Sequence, residues 1–308
     1  MRAIRNGLPE VEVVDVDEPD GDGALIRVAA AGICASDLQY LQWGSREIAG
    51  HEFAGVLDDG TAVAVEAIFG CQGCPQCDRG NFNLCTSGPT ALGLTASGGM
   101  SEYYRAPRHA LIPLPPGLDL QDAALVEPAS VALHACHQGS IGSDTSVAVV
   151  GGGAIGMLAA ASAQDLGVNE VAVEVRHPHQ FDARDLIGAA APSGQYDVVL
   201  EAGGSESSLH RAVELARPGG TVVYMGVFDD IAWPKGEAFM KEVAIRPSLG
   251  YCGHNGQREF AEAAGMLASR PELAPMLITH RFPLEDAAEA FRVAQDRTVR
   301  SFRVVIEP

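Results

Sequence analysis

"SVAVVGGGAIGMLAAASAQDLG", residues 146–167, decides the fold of this chain. It opens with small and β-branched residues, the composition of a buried strand. Gly151, Gly153 and Gly156 follow in the spacing G-x-G-x-x-G, with Ala154 and Ile155 between the last two, and then comes a run of helix formers. A glycine triplet alone is weak evidence, because a tight strand-to-helix turn can serve packing without any ligand. With a strand before it and a helix behind it, the triplet becomes a dinucleotide-binding turn, in which the backbone reaches a pyrophosphate at the helix N-terminus.

Outward from that turn the pattern repeats. "EVAVEV" (170–175), "YDVVLEAGG" (196–204) and "GGTVVYMGVF" (219–228) predict further strands, and "SSLHRAVELARPGG" (207–220) predicts the helix joining the last two. Strands alternating with helices predict an α/β fold with a doubly wound parallel sheet of the Rossmann type. An NAD-binding turn carries an acid for the ribose hydroxyl about 20 residues past the fingerprint, whereas a nearby Arg accommodates the 2′-phosphate of NADP. Counting from Gly167, that place is Val175, followed by Arg176 and His177. An uncharged residue followed by Arg favours NADP. Glu174 stands one residue earlier, and a strand ending there would make it the ribose acid and the cofactor NAD.

The 308 residues are 47% hydrophobic and 20% charged, ample for a large core and too many for one domain of usual size, so two domains are expected. With 40 acidic against 21 basic side chains the formal net charge is −19. Phosphate binding needs a basic surface, so neither nucleic acid nor an anionic membrane is an expected partner. The N-terminal stretch has no apolar run ending in a small-residue cleavage site, and no long apolar segment follows; a cytoplasmic protein is expected.

In a reducing compartment, clustered cysteines bind metal more readily than they pair, and an odd total of seven argues against a closed disulfide framework. Within "FGCQGCPQCDRGNFNLC" (69–85), Cys71, Cys74, Cys77 and Cys85 carry the C-x2-C-x2-C-x7-C spacing that lets one loop wrap a tetrahedral ion. Iron–sulfur runs of the bacterial ferredoxin type have a different last spacing and a following proline. A closed structural zinc site is the expectation, and such a site does no chemistry.

A second set of donors is dispersed. "AGICASD" (31–37) presents Cys34 and Ser36, "IAGHEFAG" (48–55) presents His51 and Glu52, and "ALVEPASVALHA" (124–135) sets Glu127 in an apolar stretch. Singly each is weak, since a lone Cys or His is commonly a packed residue and an acid near a helix N-terminus suits the macrodipole. Together Cys34, His51 and Glu127 make three ligands, the number a catalytic zinc takes when its fourth position stays open.

The order of these motifs, with "GGMSEYYRAP" (98–107) between the cysteine loop and Glu127 and "FPLEDAAEAFRVAQDRTVRSFRVVIEP" (282–308) at the end, resembles the zinc-dependent medium-chain dehydrogenase/reductase family, the alcohol, polyol and threonine dehydrogenases. The resemblance runs through nearly the whole chain. It implies a β-rich GroES-like catalytic domain at residues 1–130, a Rossmann domain at 131–252 and a C-terminal return at 253–308. It implies two zinc ions per chain: a catalytic one on Cys34, His51 and Glu127, and a structural one in the cysteine lobe. Glutamate as third ligand resembles the polyol branch of the family. Glu52 would orient a ligand from behind or enter the coordination sphere during turnover, the former being favoured, and Ser36, which could also merely cap its turn, would relay a proton. Tyr40 and Trp43, on the following segment, would line the substrate pocket or simply pack, an aromatic there being at least as often a packing residue.

The implied activity is hydride transfer between a secondary alcohol of polyol, sugar or amino-alcohol type and NAD(P), in a homodimer or homotetramer. The alternatives are a catalytically silent nucleotide-binding protein of the same fold, or a carbonyl reductase working in reverse. The sequence departs from the family in being short between His177 and Gln195, so that one βα unit is expected to be reduced or absent, and in short segments between Asp37 and Gly50 and between Gly55 and Cys71.

Overall fold

The computed structural model describes residues 1–7, 10–226, 231–296 and 298–308; Val227 and Phe228, the end of the last predicted strand, lie outside the described residues. The chain divides into two compact units, Met1–Glu127 with Cys252–Pro308, and Pro128–Tyr251.

The unit Pro128–Tyr251 is built on a parallel sheet of five strands. In spatial order they are Val171–Glu174, Val147–Val150, Tyr196–Glu201, Ala216–Tyr224 and Ala244–Pro247. Helices cover a parallel sheet on both faces, which is why all four residues of Val147–Val150 are buried. The glycine turn opens the helix Ala154–Asp165, and Gly167, at φ +94°, follows its end in the left-handed conformation that terminates helices. Between His177 and Gln195 the chain makes one helix, Pro178–Leu186, and a single parallel bridge from Ala190 to Ala172. That bridge is all that remains of a further strand beside Val171–Glu174, so the Rossmann sheet is shortened as expected.

Three details differ from the sequence expectation. The second strand ends at Glu174 rather than Val175. The helix predicted over 207–220 stops at Leu215, and Ala216–Tyr224 is strand. Pro218 cannot continue a helix, lacking an amide hydrogen and clashing with the carbonyl four residues back. The fifth strand, Ala244–Pro247, had no sequence signal because its Arg and Pro are edge-strand residues that break the apolar pattern.

In the other unit, Ala24–Gly32 is the hub of a seven-stranded sheet. It pairs antiparallel with Glu52–Leu57, Tyr103–Ala106 and Arg303–Glu307. Ala62–Val65, Leu111–Pro113 and Ile278–Pro283 complete the sheet. Ile26, Phe53, Val63, Met100, Phe291 and Ile306 lie in one buried cluster, so the C-terminal strand is part of the same core as the N-terminal ones. Because Gly32 pairs with both Glu52 and Val305, the sheet register brings Glu52 near Arg303. Gly32 has no side chain, which leaves the space occupied by the Glu52 carboxylate.

Candidate active site

Where the hub strand ends, Cys34 adopts an extended conformation and caps the helix Ala35–Gln42. Asp37, fully buried in the first turn of that helix, accepts from the Cys34 amide with Oδ2 at 2.9 Å and meets His51 Nδ1 with Oδ1 at 3.1 Å. One carboxylate therefore fixes both donors. With a proton on Nδ1 facing Asp37, the Nε2 lone pair of His51 is free to ligate. Ser36 Oγ lies 3.2 Å from that Nε2. Burial depresses the His51 pKa, but Asp37 and Cys34 outweigh it and hold the imidazole well above its ordinary range. The Tyr40 ring lies 5.8 Å from the imidazole and from Trp43, whose own side chain is exposed.

Glu52 is 1% exposed, and its Oε1 is 2.9 Å from Nη1 of Arg303, which is also buried. Burial raises its pKa to about 7 against the pull of Arg303. Glu127 stands in the first turn of the helix Val126–Gln138, buried rather than solvated as a mere dipole partner would be. Burial raises it to about 7, with His51 opposing and Cys34 reinforcing. Ligand atoms of Cys34, His51 and Glu52 all lie within 4.8 Å of one another; Glu127 is outside that set, although close enough for the charges of His51 and Cys34 to act on it. A thiol, an imidazole and carboxylates are zinc donors. Glu52 Oε2 is buried without a hydrogen-bond partner, and a nearby cation would offset that deficit. The residues fit the metal.

The cysteine lobe fits as well. Its four sulfurs lie within 4.8 Å of one another, with Cys74 Sγ 3.5 Å from that of Cys77 and 3.9 Å from that of Cys85. A tetrahedron with metal–sulfur bonds of about 2.3 Å has edges of about 3.8 Å. The Cys77 amide lowers Cys74 to about 5, while burial and the neighbouring Cys74 raise Cys77 to about 11. Thiolates held this close repel, and an ion among them removes the conflict. A Cβ at Gly70 would collide with the Cys77 sulfur, so only glycine fits there.

In the second unit a cavity of about 260 Å³ is lined by Gly151, Gly152, Gly153, Glu174, Arg176 and His177, among others. Gly151 has φ +118°, and any Cβ there would meet the backbone of Ala202 and Gly203. Gly156 lies against the Gly151 carbonyl with no room for a side chain, and Ala154 and Ile155 begin the helix between them. Val175 packs beside Gly152. The Arg176 and His177 amides both donate to Gln180 Oε1, at 3.0 and 3.2 Å, which fixes the backbone after the strand. This glycine cradle fits a dinucleotide.

Arg303, Gln180 and the double role of Asp37 escaped the sequence reading. Asp37 had a signal, three residues after Cys34 where a capping acid stands. A buried Arg in a short strand and a surface-type Gln after a turn had none.

Two family models match the chain: the alcohol dehydrogenase GroES-like domain over residues 20–116 and the zinc-binding dehydrogenase over residues 166–300. D-xylulose reductase A of Aspergillus oryzae is 30% identical over 331 residues, covering 94% of this chain and 91% of the relative. A zinc-binding dehydrogenase from Sinorhizobium meliloti solved with NADP is 26% identical with a TM-score of 0.86, over 100% of this chain and 99% of that one. An alcohol dehydrogenase of Escherichia coli CFT073 solved with NADH is 25% identical with a TM-score of 0.88, over the same shares. The chain belongs to the zinc-dependent medium-chain dehydrogenase/reductase family, among its alcohol and polyol dehydrogenases. It is an oxidoreductase that transfers hydride between a small-molecule alcohol and a nicotinamide cofactor, and neither alternative reading is favoured. Among the described residues, no helix is long and apolar enough to cross a membrane.

Proposed function

We propose that Cys34, His51 and Glu127 hold the catalytic zinc, that the cysteine lobe holds a second, structural zinc, and that the substrate is a secondary alcohol of polyol, sugar or amino-alcohol type. The observation that carries this is Asp37, which ties Cys34 and His51 together and aims His51 Nε2 at the side where Ser36 stands. Glu52 is the competitor for the third ligand place. Its ion pair with Arg303 supports a role behind the ligands, and the burial of Glu127 beside His51 supports Glu127 as the ligand.

Bound zinc supplies a Lewis acid that lowers the pKa of the alcohol, and the nicotinamide supplies the hydride acceptor. The residues do the rest. Asp37 holds the imidazole tautomer and orientation. Ser36 accepts the alcohol proton and passes its own onward, a role its place beside Nε2 supports. Tyr40 offers an aromatic wall beside the imidazole. Residues 1–130 and 253–308 act as the alcohol-binding domain and 131–252 as the nucleotide-binding domain. The strand end at Glu174 speaks for NAD by the criterion above, but the Glu174 carboxylate is tied to Arg211, which supports NADP as the preferred cofactor through Arg176. The name of the Aspergillus relative supports the polyol class. The family's habits support a homodimer or homotetramer, and reduced thiol ligands support a cytoplasmic setting.

Metal analysis beside an assay panel of polyols, amino alcohols and simple secondary alcohols, run with both cofactors, tests the proposal. Two zinc ions per chain and turnover of a polyol are expected. A single ion confined to the lobe, with no turnover, would remove the catalytic site.

A further inference from the structure

We infer that Arg211 sets cofactor choice as a positioning residue acting through Glu174; this rests on the NADP preference proposed above. Glu174 and Arg176 line the same cavity beside the glycine turn. A free carboxylate there is hostile to NADP, whose 2′-phosphate is an anion, and friendly to NAD, whose ribose hydroxyl it can accept from. The structure removes that hostility.

Side chains alternate along a strand, so Glu174 shares its face with Ala172, whereas Val175 turns to the other face and packs beside Gly152. The face of Ala172 is covered by the helix Glu206–Leu215, whose Leu209, Ala212 and Val213 share one buried cluster with Ala172 and Val150. Arg211 of that helix reaches Glu174 Oε2 with Nε at 2.7 Å, and its Nη1 is 3.0 Å from Glu214 Oε2. The Glu174 charge is thus paired and drawn toward the helix. Among the described residues that line the cavity, Glu174 is the acid, so its pairing leaves Arg176 to meet a 2′-phosphate without a free carboxylate beside it. Both members of the pair are only partly buried, with side-chain exposures of 38% for Arg211 and 25% for Glu174, so ionic strength should modulate the effect.

The test is direct binding of NADPH and NADH, by fluorescence titration, to wild type, Arg211→Met and the double variant Arg211→Met with Glu174→Gln. Freeing Glu174 should weaken NADPH about 10-fold at low salt, with NADH unchanged or tighter. The double variant, with no charge to neutralise, should regain most of the NADPH affinity. The NADPH loss in Arg211→Met should shrink as salt rises from about 50 mM to about 500 mM. Circular dichroism checks that each variant is folded. An unchanged NADPH-to-NADH ratio in Arg211→Met would overturn the inference, as would a double variant no better than the single one, since the loss would then be structural. Wild type that prefers NADH would instead remove the NADP reading. The change in ratio between wild type and Arg211→Met reports on Arg211 whichever cofactor the wild type prefers.

Discussion

The cysteine lobe and the mixed-donor site lie in the same unit of the chain, yet they are built in opposite ways. The lobe takes all its donors from residues 71–85, and turns with two short 3₁₀ helices, Cys77–Arg79 and Phe82–Leu84, bring its sulfurs together. The proposed mixed site would draw Cys34 from a strand end, His51 and Glu52 from the start of another strand, and Glu127 from a helix, with Arg303 of the C-terminal strand paired to Glu52. The lobe holds one kind of donor, the cysteine sulfur. The mixed site is a network of buried charges in which Asp37 orients His51 and Arg303 balances Glu52. A site made from one loop can be damaged without reaching the core, whereas a site made from several strands shares its energetics with the sheet.

The sharpest test of that difference is Glu127→Ala. With Glu127 as the proposed third ligand, its loss should cost several kcal/mol of transition-state stabilisation, so turnover should fall by about a thousandfold or more, with zinc content down by about one ion per chain. Full retained activity would take Glu127 out of the site and leave Glu52 as the third ligand.

Next comes Arg303→Met. Removing one member of a buried ion pair strands the other, which costs about 3–5 kcal/mol. Chemical denaturation should show that loss, and adding Glu52→Gln should return part of it. If Arg303→Met leaves stability untouched, the mixed site is not coupled to the sheet in the way its geometry indicates.

Ser36→Ala should be milder, lowering kcat about 100-fold through loss of the proton relay while leaving KM and zinc content near wild type. An unaltered kcat and pH–rate profile would mean that the proton leaves by another route.

The smallest effect on chemistry should come from Cys74→Ser. Lobe zinc should be lost and the melting temperature should fall by at least about 2–4 °C, but kcat per loaded catalytic site should stay within about twofold, as for independent sites. A collapse of kcat in this variant would break the contrast between a local site and a distributed one.

What was legible in the sequence follows the same line. The lobe could be read from spacing because its geometry is local, and the glycine turn because only glycine accepts the φ of Gly151 and the crowding at Gly156. The shortened sheet could be read from a plain count of residues between His177 and Gln195. The edge strand Ala244–Pro247 could not, because its stability comes from pairing with Ala216–Tyr224 rather than from its own pattern.

The sequence by itself determined the donor types, the order of motifs and the α/β class, since these depend on chemical identity and on distances along one segment. Only the tertiary structure decided which charges meet. Arg303 lies 251 positions beyond Glu52 and Arg211 lies 37 beyond Glu174, and no local pattern marks either as a partner. Sheet register puts the first pair together, and helix packing on the sheet puts the second together. Both are consequences of burying apolar faces, a constraint that acts on the whole chain at once and leaves no signature at the charged residues it places.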